Sequence, residues 1–304
     1  MRTGCLFLMV LAAAFVGLLC GCDRGVVAPN GGGSQWFFRD IGASVSPDGD
    51  SVAYAHAATG EEGDTSGVYV ASLVAQSTRL ATKGLVNDID WSSDGPNLAF
   101  DKGGEIWVLD LGADSTAQVT QPDGHGKSLP KWAPDSEKLA YVVALGAQAG
   151  AWVVDSGGVN AHRIAPNAQD IDWFSSGTEI VLAMWVYDSL NGTWNAGLWR
   201  ADSAGAPIQV ILTAESIGAI GGTLMGISVS PDDAKVAFHA QRGGEAPQVW
   251  VVHADGSNPT QLTSRGGIDP DWSPDGLWIV YTDGRDGRLW RIGADGDDSR
   301  PLDY

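Results

Sequence analysis

Ile268-Asp-Pro-Asp-Trp-Ser-Pro-Asp-Gly276 is the stretch on which the fold turns. Its second half, Trp272-Ser-Pro-Asp-Gly276, has five counterparts: Val45-Ser-Pro-Asp-Gly49, Trp91-Ser-Ser-Asp-Gly95, Trp132-Ala-Pro-Asp-Ser136, Trp173-Phe-Ser-Ser-Gly177 and Val229-Ser-Pro-Asp-Asp233. The intervals from the first to the last are 46, 41, 41, 56 and 43 residues. Ser-Pro-Asp-Gly is turn chemistry: proline presets φ, aspartate accepts local backbone hydrogen bonds, and glycine takes positive φ. Each turn therefore joins two short strands, as in Asp88–Ser92 and Asn97–Phe100. A second motif follows every turn: Val68-Tyr-Val70, Ile106-Trp-Val108, Ala151-Trp-Val153, Leu198-Trp-Arg200, Val249-Trp-Val251 and Leu289-Trp-Arg291. It is rich in β-formers and supplies a third strand. A fourth comes from segments such as Arg79-Leu-Ala-Thr82, Gln118-Val-Thr120, Val210-Ile-Leu-Thr213 and Gln261-Leu-Thr263. Four short strands per unit make one propeller blade, and six units close a ring. The fold class is all-β, a six-bladed β-propeller of four-stranded antiparallel blades. An open sandwich explains neither the period nor the count.

These motifs resemble the TolB-type (WD-like) β-propeller repeat, whose consensus runs roughly Trp-Ser-Pro-Asp-Gly, Ile-Ala-Phe, Ile-Tyr-Val, Leu-Thr. The resemblance covers about residues 36–304 and implies the fold, with the propeller assigned to 35–304. TolB itself carries an α/β domain before its propeller, whereas here a 12-residue tether precedes the blades. The partner contacts of TolB are therefore not carried over.

The first residues read as an address. Arg2 is followed by the apolar run Cys5–Leu19, short for a membrane span and suited to a signal-peptide core. Leu19-Cys-Gly-Cys-Asp23 resembles the bacterial lipoprotein box, which implies a signal peptide over 1–21 and lipidation of Cys22. Residues 22–34 then form the lipidated cysteine and a flexible tether. The expected location is the cell envelope, lipid-anchored on the extracytoplasmic side, in the periplasm or at the cell surface. Asp23 fits an inner-membrane retention signal known in enterobacteria, but that rule does not settle the leaflet.

All three cysteines, Cys5, Cys20 and Cys22, lie in the first 22 residues, so the body has no disulfide framework and no cysteine-based zinc site. Without residues 1–21 the net charge is −20, which argues against nucleic acid as a partner. Nine of the 13 tryptophans fall in the two repeat columns and are expected to pack blade against blade. Trp36, Trp185, Trp194 and Trp278 lie outside them. His56, His125, His162, His239 and His253 share no column, so each is expected at an exposed or strand-edge position. There is no Gly-x-Ser-x-Gly, phosphate loop or His-Glu-x-x-His.

Strand alternation puts the Ser-Pro-Asp-Gly turns on one face. The loops between second and third strands, and those between blades, lie on the other. On that second face blade 4 carries an extended hairpin, Glu179–Tyr187 and Thr193–Arg200, bearing Trp185, Tyr187 and Trp194 as partner-binding candidates. The first blade adds an acidic loop containing Glu61, Glu62 and Asp64. Blades 2, 4 and 6 also read Asn87-Asp-Ile-Asp-Trp91, Gln169-Asp-Ile-Asp-Trp173 and Ile268-Asp-Pro-Asp-Trp272. Innermost strands line the channel, so Asp88, Asp170 and Asp269 are expected around its mouth, with Lys131 nearby. Two readings stay open: a hard cation such as Ca²⁺ held by the three, or carboxylates accepting backbone hydrogen bonds from neighbouring blades.

The leading functional reading is a membrane-anchored, monomeric propeller that binds an envelope protein, peptide or glycan without catalysis. The alternatives are a lyase or hydrolase using the channel carboxylates, and a structural component of an envelope complex.

Overall fold

The computed structural model describes residues 40–57, 65–188, 192–204, 209–219, 222–242 and 244–304, without the side chains of Tyr187, Asp188, Thr193 and Trp194. The signal segment, the tether, Cys22, Trp36 and the acidic residues of the first-blade loop lie outside the described residues. The rest forms six four-stranded antiparallel sheets, each strand pairing with the next in sequence. Blades 1 to 6 span 40–83, 89–118, 127–166, 168–213, 224–261 and 267–301. Their first strands are Asp40–Val45, Ile89–Trp91, Lys127–Trp132, Ala168–Trp173, Leu224–Val229 and Gly267–Trp272. These touch in order and return to the start, so they form the inner ring. Among the described residues every blade is built from strands consecutive in sequence, and none is exchanged at closure.

The repeated turns do the local work expected of them. The Ser46 hydroxyl donates to Asp48 (2.6 Å) and accepts from the Ser51 amide (2.9 Å), and Ser230/Asp232 and Ser273/Asp275 repeat the arrangement. The fifth position is left-handed in all six turns, including Ser136 (φ 57°) and Asp233 (φ 59°), where glycine is replaced.

Six apolar clusters hold the ring, one at each junction between blades. All nine repeat-column tryptophans belong to them, either buried or packed against buried neighbours. At roughly 1.5–3 kcal/mol for each fully buried large apolar side chain, these interfaces dominate folding. At the seam between blades 6 and 1 the cluster unites Val280 and Leu289 with Val45, Val52 and Tyr54. Asp40 reinforces it: its amide donates to Gly287 (3.0 Å) and its carbonyl accepts from the Thr282 hydroxyl (2.7 Å).

Third and fourth strands approach closely where a glycine opens the third. At Gly150 (φ 134°) a Cβ would stand 2.1 Å from the Ala165 carbonyl oxygen and 2.9 Å from the Pro166 Cα. Both obstacles are backbone and cannot rotate away. Gly150→Ala is expected to cost about 2–3 kcal/mol, from strain plus overpacking. Urea unfolding checks this, and a loss below about 0.5 kcal/mol would show that the strand pair simply shifts.

Candidate functional site

Two rings of side chains line the channel, one residue and three residues before the start of each repeated turn motif. The lower ring reads Ser44, Asp90, Lys131, Asp172, Ser228 and Asp271 around blades 1 to 6. Each aspartate reaches forward to the next blade. Asp90 accepts from the Trp132 amide (2.6 Å), Asp172 from Val229 (2.7 Å) and Asp271 from Val45 (2.9 Å). The serines do the same job with a neutral oxygen: Ser44 accepts from the Trp91 amide (3.0 Å) and Ser228 from Trp272 (3.2 Å). Lys131 projects among the three aspartates, with its ammonium 3.4 Å from Asp90. Burial works against that charge, but Asp90, Asp172 and Asp271 outweigh it and hold the lysine above its ordinary range.

The upper ring reads Gly42, Asp88, Leu129, Asp170, Gly226 and Asp269, and all six line one narrow opening with about 30 Å³ of free space. That is room for about one water molecule. Asp170 accepts from Ile171 (2.8 Å) and from Ile227 of blade 5 (3.0 Å). Asp269 accepts from the Gly42 amide of blade 1. Among the described residues nothing donates to the Asp88 carboxylate. Of the two readings open at the start, backbone acceptance therefore describes Asp170 and Asp269. No group of three or more His, Cys, Asp or Glu among the described residues is placed to hold a metal ion, so the calcium reading gains no ligand set.

Behind the upper ring, second strands contribute a polar column that pattern reading missed: Asp101, His239 and Thr282, all buried. The Asp101 carboxylate accepts from the Asn87 and Asp88 amides (3.0 and 2.9 Å) and from the Asn87 side chain (2.9 Å). His239 corrects the expectation that every histidine is exposed or at a strand edge. It lies in the channel wall, where Nδ1 accepts from the Asp269 amide (3.2 Å). Burial lowers its pKa to about 4, so the ring is neutral. The signal was there: His239 follows the aromatic of Val236-Ala-Phe238 just as Asp101 follows that of Leu98-Ala-Phe100.

Burial dominates the electrostatics. It lifts Asp90 to about 7 and Asp170, Asp172 and Asp269 to about 6, against the opposing pull of Lys131 and backbone amides. Asp101 and Asp271 are raised for the same first reason.

The blade-4 hairpin is present, its two strands Glu179–Asp188 and Thr193–Asp202 pairing along their full length. Trp185 pairs with Ala196 and packs half-buried against the cluster between blades 4 and 5, while Val186 beside it is exposed. Tyr187 and Trp194 face one another in register, and their side chains lie outside the described residues. On the opposite face a wider hollow of about 400 Å³ lies between blades 4 and 5, where Arg200 is already paired with Glu179.

Fold and rings together define a six-bladed propeller whose channel is acidic and plugged by one lysine. No family model matches the chain. Its structural neighbours are TolB-type propellers: TolB from Acinetobacter baumannii superposes with TM-score 0.66 at 15% identity, over 96% of this chain and 67% of that one. The tricorn protease matches with TM-score 0.61 at 15% identity, over 86% of this chain and 26% of its own. A chain of a nidogen/laminin complex matches with TM-score 0.60 at 7% identity, over 86% and 91%. At these identities the likeness is one of fold. Among the described residues no helix is long and apolar enough to cross a membrane.

Proposed function

We propose that this chain is a lipid-anchored, extracytoplasmic propeller that captures a protein, peptide or glycan partner on its hairpin face, without catalysis. The observation that carries the reading is the blade-4 hairpin. Its strands run ten residues each, against five or six in the second and third strands of the other blades, and they extend the face that bears the channel mouth. An exposed Val186 beside a half-buried Trp185 is a fair anchor for a partner surface. The lower-ring carboxylates Asp90, Asp172 and Asp271 are engaged by amides of the next blade, which supports a structural role for them. The propeller in the nidogen/laminin complex supports a protein partner by analogy of fold. Attachment through Cys22 and a flexible tether would hold the ring near the membrane with its faces free.

A photo-crosslinking residue at Val186 should capture the partner in the native envelope, whereas one at the exposed Val74 on the opposite face should not. Substituting alanine at Trp185, Tyr187 and Trp194 should abolish that capture while the melting temperature stays well above ambient. Equal capture from both faces, or capture unchanged in the triple variant, overturns the reading.

A further inference from the structure

The two rings repeat from blade to blade, so a missing contact stands out. The amides of Trp132 and Val229 answer Asp90 and Asp172 in equivalent fashion. Two residues earlier, Pro130 therefore occupies the place of Ile227, and Asp88 the place of Asp170. The Ile227 amide meets Asp170 at 3.0 Å. Pro130 has no N–H to offer Asp88.

We propose that Asp88 is a resident proton carrier, and that its ionisation makes the junction between blades 2 and 3 a pH-responsive point of the ring. The groups facing it are Asp101 from the second strand of its own blade, Asp269 of blade 6, Asp170 of blade 4 and Lys131 of blade 3. Blades 1 and 5 line the opening with Gly42, Ala43, Gly226 and Ile227, and neutral His239 of blade 5 stands behind, 3.6 Å from the Asp269 carboxylate. The one cation is held beside Asp90, in the ring below. With three carboxylates around it and no donor among the described residues, half-buried Asp88, when ionised, has only water at the narrow channel mouth to take its charge. The neutral acid needs neither. Burial first, then Asp101, Asp269 and Asp170, push the Asp88 carboxyl well above the usual range, in keeping with that geometry. On deprotonation the new charge repels carboxylates on three blades and finds no amide on blade 3 to bind. The inner strands of blades 2 and 3 then share no hydrogen bond at this level, and the junction rests on its apolar cluster and on Lys127, which pairs with Glu105 and donates its amide to the Gly104 carbonyl. This inference stands apart from partner capture and does not require it.

Carboxyl-carbon NMR on the intact wild-type protein tests it directly, with Asp88→Asn identifying the resonance. Asp88 should titrate later than any exposed aspartate. Pro130→Ala restores an amide at the vacant position and should bring that midpoint down by about one pH unit or more, as hydrogen bonding to the charged form does. Asp88→Asn should raise the melting temperature at pH 8 relative to wild type and leave it nearly unchanged at pH 5. An Asp88 midpoint in the wild type near 4, or a midpoint that Pro130→Ala leaves unmoved, overturns the proposal. If the proline variant fails to fold, the wild-type titration alone decides.

Discussion

Lys131→Met should destabilise the propeller by about 3–5 kcal/mol at pH 7.5, the usual cost of removing one partner from a buried charge cluster. The methionine matches the lysine in length, so the loss reports charge rather than volume. Lys131 is the cation that Asp90, Asp172 and Asp271 share, and its ammonium is nearest to Asp90. Without it the three carboxylates face one another across the channel with only backbone amides and the Ser228 hydroxyl to answer them. The same substitution should cost much less at pH 5. There Asp90, which titrates at about 7, and Asp172, at about 6, are largely protonated and no longer need a counter-charge. Urea unfolding at the two pH values is the measurement. Equal losses at both would mean that Lys131 stabilises through its stem, packed along the wall, and not through its charge.

The wild-type protein should in turn lose stability as pH rises from about 4 to about 7. The sign follows from proton counting. A carboxylate whose folded pKa is raised holds its proton in the native state while the unfolded chain has already released it. Between the two pKa values the native state binds more protons, so stability falls with increasing pH. Asp90, Asp170, Asp172 and Asp269 all behave this way, with folded values of about 6 to 7. His239 opposes them, since it stays neutral in the fold and the unfolded chain takes up its proton below about 6.5, but it is one group against several. A net change of a few kcal/mol would lower the melting temperature by about 5–10 °C, at 2–4 °C per kcal/mol. Calorimetry at pH 5 and pH 8 checks this, and a melting point higher at pH 8 would contradict it. Below about pH 4 the trend should reverse, because the turn aspartates Asp48, Asp232 and Asp275 are held low by their serine hydroxyls and lose those contacts on protonation.

Much of this was legible in the sequence because a propeller repeats its chemistry. Six Ser-Pro-Asp-Gly-like turns predict six blades, and the tryptophan columns predict the junction clusters. The Asp-x-Asp-Trp strands point to the channel before any coordinate is seen. What repetition hides is the partner of each group. A blade's second strand is buried on both faces, so no alternation of polar and apolar residues marks which side chains reach the wall. Asp101 and His239 could be found only by aligning second strands on their aromatic residue. Pro130 reads as an unremarkable proline until register shows that a carboxylate needs its amide. The forward reach of each aspartate depends on blade-to-blade spacing, which no single repeat encodes.

The lower ring also changes how the molecule divides. From blade 1 to 2 and from 5 to 6 the inner strands are joined through Ser44 and Ser228, and from 3 to 4 the Trp173 indole donates to the Lys131 carbonyl at 3.2 Å. The joints from 1 to 2 and from 3 to 4 are neutral, whereas from 5 to 6 the Ser228 hydroxyl also donates to the Asp271 carboxylate at 2.9 Å. The other three, from 2 to 3, from 4 to 5 and from 6 to 1, each depend on an aspartate. At the level of the lower ring, four of the six joints thus engage an aspartate carboxylate and are open to acid, while those from 1 to 2 and from 3 to 4 use neutral groups alone.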